Sequence, residues 1–182
     1  DSKELTYDSR SLSAILSDKE RAILSNYSGF GGKLSDLEKG HGHGGEIYEF
    51  YTPNYLCKLM WDIAIHYGFD GKGNVLEPSC GNGNLIKYEN NKSKVTAFEI
   101  NTDSARIAKL LYNATVYPYE FERAFLEGSM WNKPIKQKVT WLHQYPFSLL
   151  IGNPPYGVHS GYYKAFFQKN YKRVEFFFIQ KG

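Results

Sequence analysis

The chain has 182 residues, enough for one domain with a real core and short for two. Hydrophobic residues make up 42% and charged residues 23%, and no apolar run approaches the ~20 residues of a membrane span, so a transmembrane protein is excluded. A net charge of +3 permits nucleic-acid binding without arguing for it.

The polar segment Asp1 to Arg10 is neither a signal nor a transit peptide, and a start at Asp1 reads as a piece of a longer protein. Two cysteines, Cys57 and Cys80, make no disulfide framework and are too few for zinc. A reducing, cytoplasmic setting is the default. With 15 Tyr and 12 Phe and a mean hydropathy of −0.49, many rings must lie near the surface, where they can stack on bases or pack against a partner.

Ser17 and Glu20 have capping-box spacing and predict a helix from Ser17 to about Asn26. Ser28-Gly29-Phe30-Gly31-Gly32 reads as a turn. His41-Gly42-His43-Gly44-Gly45 reads as a mobile Gly-rich linker; two histidines alone do not hold a metal, and none is expected. Leu56, Leu59, Met60, Ile63 and Ala64 recur at helical spacing, so a helix runs from Pro53 to His66.

After a loop from Tyr67 to Asn74 the pattern becomes strand, loop, helix, strand, helix. Val75-Leu76 is a strand, Leu85 to Glu89 a helix start, Lys94 to Ile100 a strand, and Thr102 to Tyr112 a helix. Thr115 to Tyr117 is a third strand, with Phe121 to Leu126 helical. Phe147 to Ile151 is a fourth strand, and Tyr162 to Lys169 a helix. Val174 to Gln180 fits a strand or a buried helix. This alternation predicts an α/β fold with a parallel sheet.

Glu77-Pro78-Ser79-Cys80-Gly81-Asn82-Gly83-Asn84 lies between a strand and a helix, where glycines let backbone approach a ligand. It is neither the G-x-G-x-x-G pattern, since residue 86 is Ile, nor a P-loop. Glu99 ends the next strand 18 residues after Gly81 (99 − 81). An acid at that place can accept both ribose hydroxyls of a nucleoside, with Ile100 against the base.

Asn153-Pro154-Pro155-Tyr156 follows an apolar strand. Two prolines fix two φ angles and remove two N–H donors, giving a stiff turn. It offers an amide side chain, a bare carbonyl and a ring, which suits a planar amine. The exocyclic amine of adenine is a poor nucleophile because its lone pair is conjugated. Two acceptors, the Asn153 side-chain oxygen and the Pro154 carbonyl, favour a tetrahedral nitrogen and stabilise charge developing on it. Tyr156 can stack on the base, which must be flipped out of a duplex to reach this turn.

With Tyr51-Thr52-Pro53, these segments resemble the S-adenosylmethionine-dependent N6-adenine DNA methyltransferases, over roughly Glu46 to Tyr156. Tyr27 to Gly32 is also similar to a segment ahead of the methylase core in some phage and mobile-element methylases. The resemblance implies a Rossmann-like sheet with flanking helices and S-adenosyl-L-methionine as cofactor. It implies catalytic roles for Asn153, Pro154 and Tyr156. It places Tyr51, Thr52 and Pro53 in the cofactor site, with Thr52 and Pro53 at the methionine end. Glu77, Pro78, Ser79, Cys80, Gly81 and Gly83 form the cofactor loop; Glu99 binds ribose and Ile100 packs on adenine. Ser129 stands where the family often has Asp.

The family's sheet has seven strands, and about four are legible here. The reading is therefore an N-terminal helical and Gly-rich segment over 1–45 and a methyltransferase core over 46–182. That core is incomplete at its C-terminal side, with a DNA-recognition domain or partner chain supplying the rest. DNA is the expected partner, and restriction-modification the expected setting. Lys133, Lys136, Lys138, Lys164, Lys169, Lys172 and Arg173 can contact phosphates or form a solvated face. Competing readings are a cytosine N4, RNA adenine or protein glutamine methyltransferase, or an inactive cofactor- or DNA-binding remnant.

Overall fold

The computed structural model describes residues 16–27, 32–33, 44–121, 146–160 and 173–181. The first helix, α1, runs Asp18–Ser25 and carries the expected capping box: the Ser17 N–H donates to Glu20 Oε2 at 2.8 Å, and Ser17 Oγ accepts from the Glu20 N–H. Two orphan donors of the first turn are satisfied this way. The next helix, α2 (Asn54–His66), starts one residue later than expected, because Pro53 serves as its N-cap.

Four parallel strands form the central sheet: β3 (Asn74–Glu77), β4 (Val95–Phe98), β5 (Thr115–Tyr117) and β6 (Phe147–Leu150), in the order β5-β4-β3-β6. Helix α3 (Thr102–Leu111) connects β4 to β5. Its N-cap, Asn101, accepts from the N–H groups of Asp103 and Ser104 at 3.0 and 3.1 Å. The expected helix at Leu85 is a single 3-10 turn, Ile86–Tyr88.

Alternation along the strands gives the sheet two covered faces. Val75, Val95, Ala97 and Val116 join one core with Trp61 of α2 and Ala105, Ala108 and Leu111 of α3. Phe98 lies in an aromatic cluster on the opposite face. It stacks on Tyr117 and meets Phe121 edge-on, both at 5.2 Å between centroids. Phe121 in turn contacts Phe177 and Phe178 of α4 (Val174–Lys181). The ambiguous segment is therefore a helix, burying Val174, Phe177 and Phe178 at positions i, i+3 and i+4. Each buried Phe contributes about 1.5–3 kcal/mol.

A second, antiparallel sheet was not expected. It comprises β1 (Gly32–Lys33), β2 (Gly44–Glu49) and β7 (Tyr156–Ser160), in the order β1-β2-β7. Gly44 and Gly45, read as linker, lie in β2 and pair with Ser160 and His159. Tyr156, read as the end of a turn, also begins a strand. The expected helix from Phe121 to Leu126 lies outside the described residues beyond Phe121, as do the expected helix at 162–169, His41, His43, Ser129 and the lysines at 133, 136, 138, 164, 169 and 172.

Candidate active site

The chain lays down β3, β4 and β5 in one direction, then returns to place β6 on the far side of β3. Strand order therefore reverses between β3 and β6. In open α/β sheets, ligands bind at that reversal, in the crevice outside the carboxyl ends of the strands. The loop leaving β3 is Glu77 to Asn84, and the turn leaving β6 is Gly152 to Tyr156. Two segments 70 residues apart in sequence, measured from Gly83 to Asn153 (153 − 83), thus leave neighbouring strands at the same end of the sheet.

They touch at Gly152. A Cβ there would lie 2.8 Å from Glu77 Oε1 and 3.1 Å from Pro78 Cδ. Only a glycine lets β6 sit this close to the end of β3 without displacing the carboxyl.

The loop is held from several sides. Gly81, at φ +55°, packs against the Tyr51 ring, and a Cβ there would lie 2.9 Å from Tyr51 Cε1. Tyr51 Oη shares a 2.7 Å hydrogen bond with Ser104 Oγ at the start of α3. Thr52 is buried, and its carbonyl accepts from Asn84 Nδ2 at 3.0 Å. Glu99 accepts from the Gly81 N–H at 2.7 Å and from the Asn101 N–H at 2.6 Å, one at each oxygen. It therefore joins the end of β4 to the loop after β3. Asn82 Nδ2 donates to the Ser25 and Tyr27 carbonyls, tying the end of α1 to the same loop. Ile100 follows Glu99 and is half-buried.

Some polar atoms have no partner. Both oxygens of Glu77, Ser79 Oγ and Asn82 Oδ1 are buried without a hydrogen bond. Burial, with the nearby Glu99 charge, holds the Glu77 carboxyl well above the usual carboxylate range; the Ser79 backbone N–H opposes this without making a bond of normal geometry. Burial also pushes the Cys80 thiol well up, and the Cys57 thiol up to about 11, so neither is a thiolate nucleophile at neutral pH. Unpaired acceptors concentrated in one loop fit a ligand that brings donors, above all a cation.

On the other side of the crevice, Asn153 is half-buried and is held at both ends of its amide. Its Nδ2 donates to the Phe50 carbonyl at 3.3 Å, and its Oδ1 accepts from the Tyr156 hydroxyl. Only the nitrogen can bond a carbonyl, so the Phe50 contact fixes which way the amide faces. The Phe50 and Tyr156 rings stand tilted, 6.3 Å apart, and are 56% and 43% exposed. Pairing of Tyr48 with Tyr156 in the second sheet brings about this juxtaposition and carries Tyr51-Thr52-Pro53 to the crevice.

The structure thus brings Tyr51, Thr52, Glu77 to Gly83 and Glu99 into one hydrogen-bonded and packed assembly, and sets Asn153 and Tyr156 beside it. Pro53 is exposed as the α2 cap. Phe50 and Gly152 are the residues that sequence reasoning missed. The aromatic run Tyr48-Glu49-Phe50-Tyr51 carried a strand signal; nothing in the composition marked Gly152. Among the described residues, no group of three or more His, Cys, Asp or Glu could hold a metal ion. None of their helices is long and apolar enough to cross a membrane.

No family model matches the sequence, and no solved structure does. Over 144 residues, 79% of this chain, it is 33% identical to the defense against restriction protein B of Escherichia phage P1, of which that stretch covers 5%. Over 112 residues, 59% of this chain, it is 29% identical to the type II methyltransferase M.CvrRI of Paramecium bursaria Chlorella virus XZ-6E, covering 24% of that protein. The chain thus spans a small fraction of the length of both relatives. A mixed α/β sheet compatible with a Rossmann-like fold and a distant methyltransferase relative support a methyltransferase-like relationship.

Proposed function

We propose that this chain is the catalytic core of an S-adenosylmethionine-dependent methyltransferase that modifies the exocyclic N6 amine of an adenine flipped out of DNA. The observation that carries this reading is the meeting of the Glu77 loop and the Asn153 turn at the strand-order switch, with Gly152 as their contact. The methyltransferase relative supports the cofactor and the DNA substrate, and the names of both relatives support a restriction setting. Two buried free thiols are at home in a reducing cytoplasm.

The residues present fit the cofactor. Glu77 would hold its amino-acid end, Glu99 would meet the ribose and Ile100 the adenine, while Gly81 and Gly83 let the loop pack tightly on Tyr51 and Tyr112. Tyr51, Thr52 and Pro53 shape the wall, with Pro78, Ser79 and Cys80 completing the loop. When bound, the cofactor supplies an electrophilic methyl group on a sulfonium.

Asn153 and Pro154 do the aligning. The Phe50 carbonyl keeps Asn153 Nδ2 engaged, which leaves Oδ1 to accept from the target amine. In the free protein the Tyr156 hydroxyl holds that oxygen; the amine takes its place when the base enters. The Pro154 carbonyl accepts the second N–H. Tyr156 stacks on one face of the base and Phe50 meets it from the opposite strand. An amide is no base, so the proton leaves to water after transfer. The main contribution of these residues would be to orient the amine.

The test is to incubate the chain with methyl-labelled S-adenosylmethionine and unmethylated DNA, digest to nucleosides and identify the product by mass spectrometry. N6-methyldeoxyadenosine is expected, and Asn153→Ala should abolish it while S-adenosylhomocysteine still binds. N4-methyldeoxycytidine would move the reading to cytosine, and label on glutamine in added protein would move it out of nucleic acid. No transfer with intact cofactor binding would make the chain a remnant.

A further inference from the structure

Glu77 is a carboxylic acid buried at the end of β3. It is 1% exposed, and neither carboxyl oxygen has a hydrogen-bond partner. A Cβ at Gly152 would lie 2.8 Å from Oε1, so the chain after β6 passes close beside the carboxyl. The groups that face it make ionisation harder. Glu99, at the end of β4, is an acid whose oxygens are engaged by the Gly81 and Asn101 N–H groups. Cys80 on its own loop and Cys57 on α2 would bring negative charge only if they ionised, and burial keeps both as thiols. Lys87 and Lys109 bear on those two thiols and not on Glu77. Among the described residues, the Ser79 N–H is the group that favours ionisation. A lone carboxylate is not sustained in such a place; it keeps its proton.

From this geometry we infer that Glu77 is a neutral acid in the empty protein and ionises only when a ligand's ammonium group arrives, so that capture of the cofactor releases a proton. The inference rests on the cofactor reading given above and adds the proton balance. The carboxyl O–H bond breaks, its electron pair stays on the Glu77 oxygen, and the proton goes to solvent. The ligand's ammonium keeps all its protons and donates to the new carboxylate. Two consequences follow from linkage. Amine-bearing nucleosides bind more tightly as pH rises, by at most about tenfold per pH unit, until the empty-site carboxyl itself ionises. Nucleosides without the amino-acid end draw no proton from Glu77, and their affinity is flat over the same range.

The experiment is titration calorimetry of the whole chain with S-adenosylhomocysteine at pH 6, where an α-amino group is charged, in buffers of different ionisation enthalpy. Proton release of up to one per ligand is expected, and clearly above zero. Glu77→Gln should bind with release reduced to near zero. Should that variant fail to fold, 5′-methylthioadenosine on the wild-type chain is the comparator, and it should bind without release. S-adenosylhomocysteine binding with no proton release, or with equal release in Glu77→Gln, would overturn the inference and leave the cofactor reading standing. No binding of either nucleoside would overturn both.

Discussion

Replacing Glu99 with Gln preserves side-chain size and removes one acceptor. The two carboxylate oxygens accept from Gly81 N–H at 2.7 Å and Asn101 N–H at 2.6 Å, and the residue is 5% exposed. Glutamine has one oxygen and one NH2 group, so one of those backbone donors must face another donor. A hydrogen bond to a charged group contributes about 1.5–3 kcal/mol, and a buried donor left unsatisfied costs about 1–3 kcal/mol. One bond lost and one weakened therefore cost about 2–4 kcal/mol. For a domain of this size that lowers Tm by roughly 4–16 °C. Scanning calorimetry on the ligand-free chain measures it. A Tm within about 1 °C of wild type would refute the claim that Glu99 fastens the Gly81 loop. The same protein tests ribose contact separately: S-adenosylhomocysteine affinity should fall by a further ~1–3 kcal/mol, and an unchanged affinity in a destabilised variant would assign Glu99 to the loop alone.

Gly152→Ala places a methyl group 2.8 Å from Glu77 Oε1; such overpacking costs about 1–3 kcal/mol in urea unfolding. Because β6 carries the Asn153 turn, kcat should fall about tenfold or more, since a 1 Å misplacement can cost about 100-fold; wild-type kcat would uncouple the strand from the turn. Phe50→Leu should raise KM for DNA by an amount equivalent to one stacked base, ~1–3 kcal/mol, with cofactor affinity unchanged and with Phe50→Trp near wild type. Equal KM values in all three proteins would remove Phe50 from the base site. Glu77→Gln bears on stability against pH. The folded carboxyl holds its proton above the ordinary value of 4.5, whereas the unfolded chain has released it. Wild-type stability therefore falls as pH climbs from that value toward the raised one. The variant lacks this fall, so its urea midpoint should gain on wild type between pH 5 and pH 8, and parallel curves would contradict the burial argument.

Some of this was legible in the sequence because it is local. Ser17 and Glu20 are three residues apart, and their capping box forms as spaced. Lys94 to Ile100 and Thr102 to Tyr112 each carry one clear period, and the strand Val95–Phe98 and the helix Thr102–Leu111 form within them. The Gly81-Asn82-Gly83 loop needs positive φ at both glycines, at +55° and +90°, which the residue type already signals. The second sheet was not legible. It pairs Gly44 with Ser160, residues 116 apart (160 − 44), and glycine at the strand start imitates a linker. The fixing of the Asn153 amide was hidden for a different reason: its partner is the backbone carbonyl of Phe50, which every residue type provides. Val174, Phe177 and Phe178 did hold a helical period, but the run is short and rich in residues that favour strands.

Hydrogen exchange of the chain with and without S-adenosylhomocysteine addresses the crevice as a whole. Slowed amide exchange should fall on 77–83, 99–101 and 150–156, three stretches that only the strand-order switch brings side by side. Protection confined to other segments, or none at saturating ligand, would contradict a cofactor seat between β3 and β6.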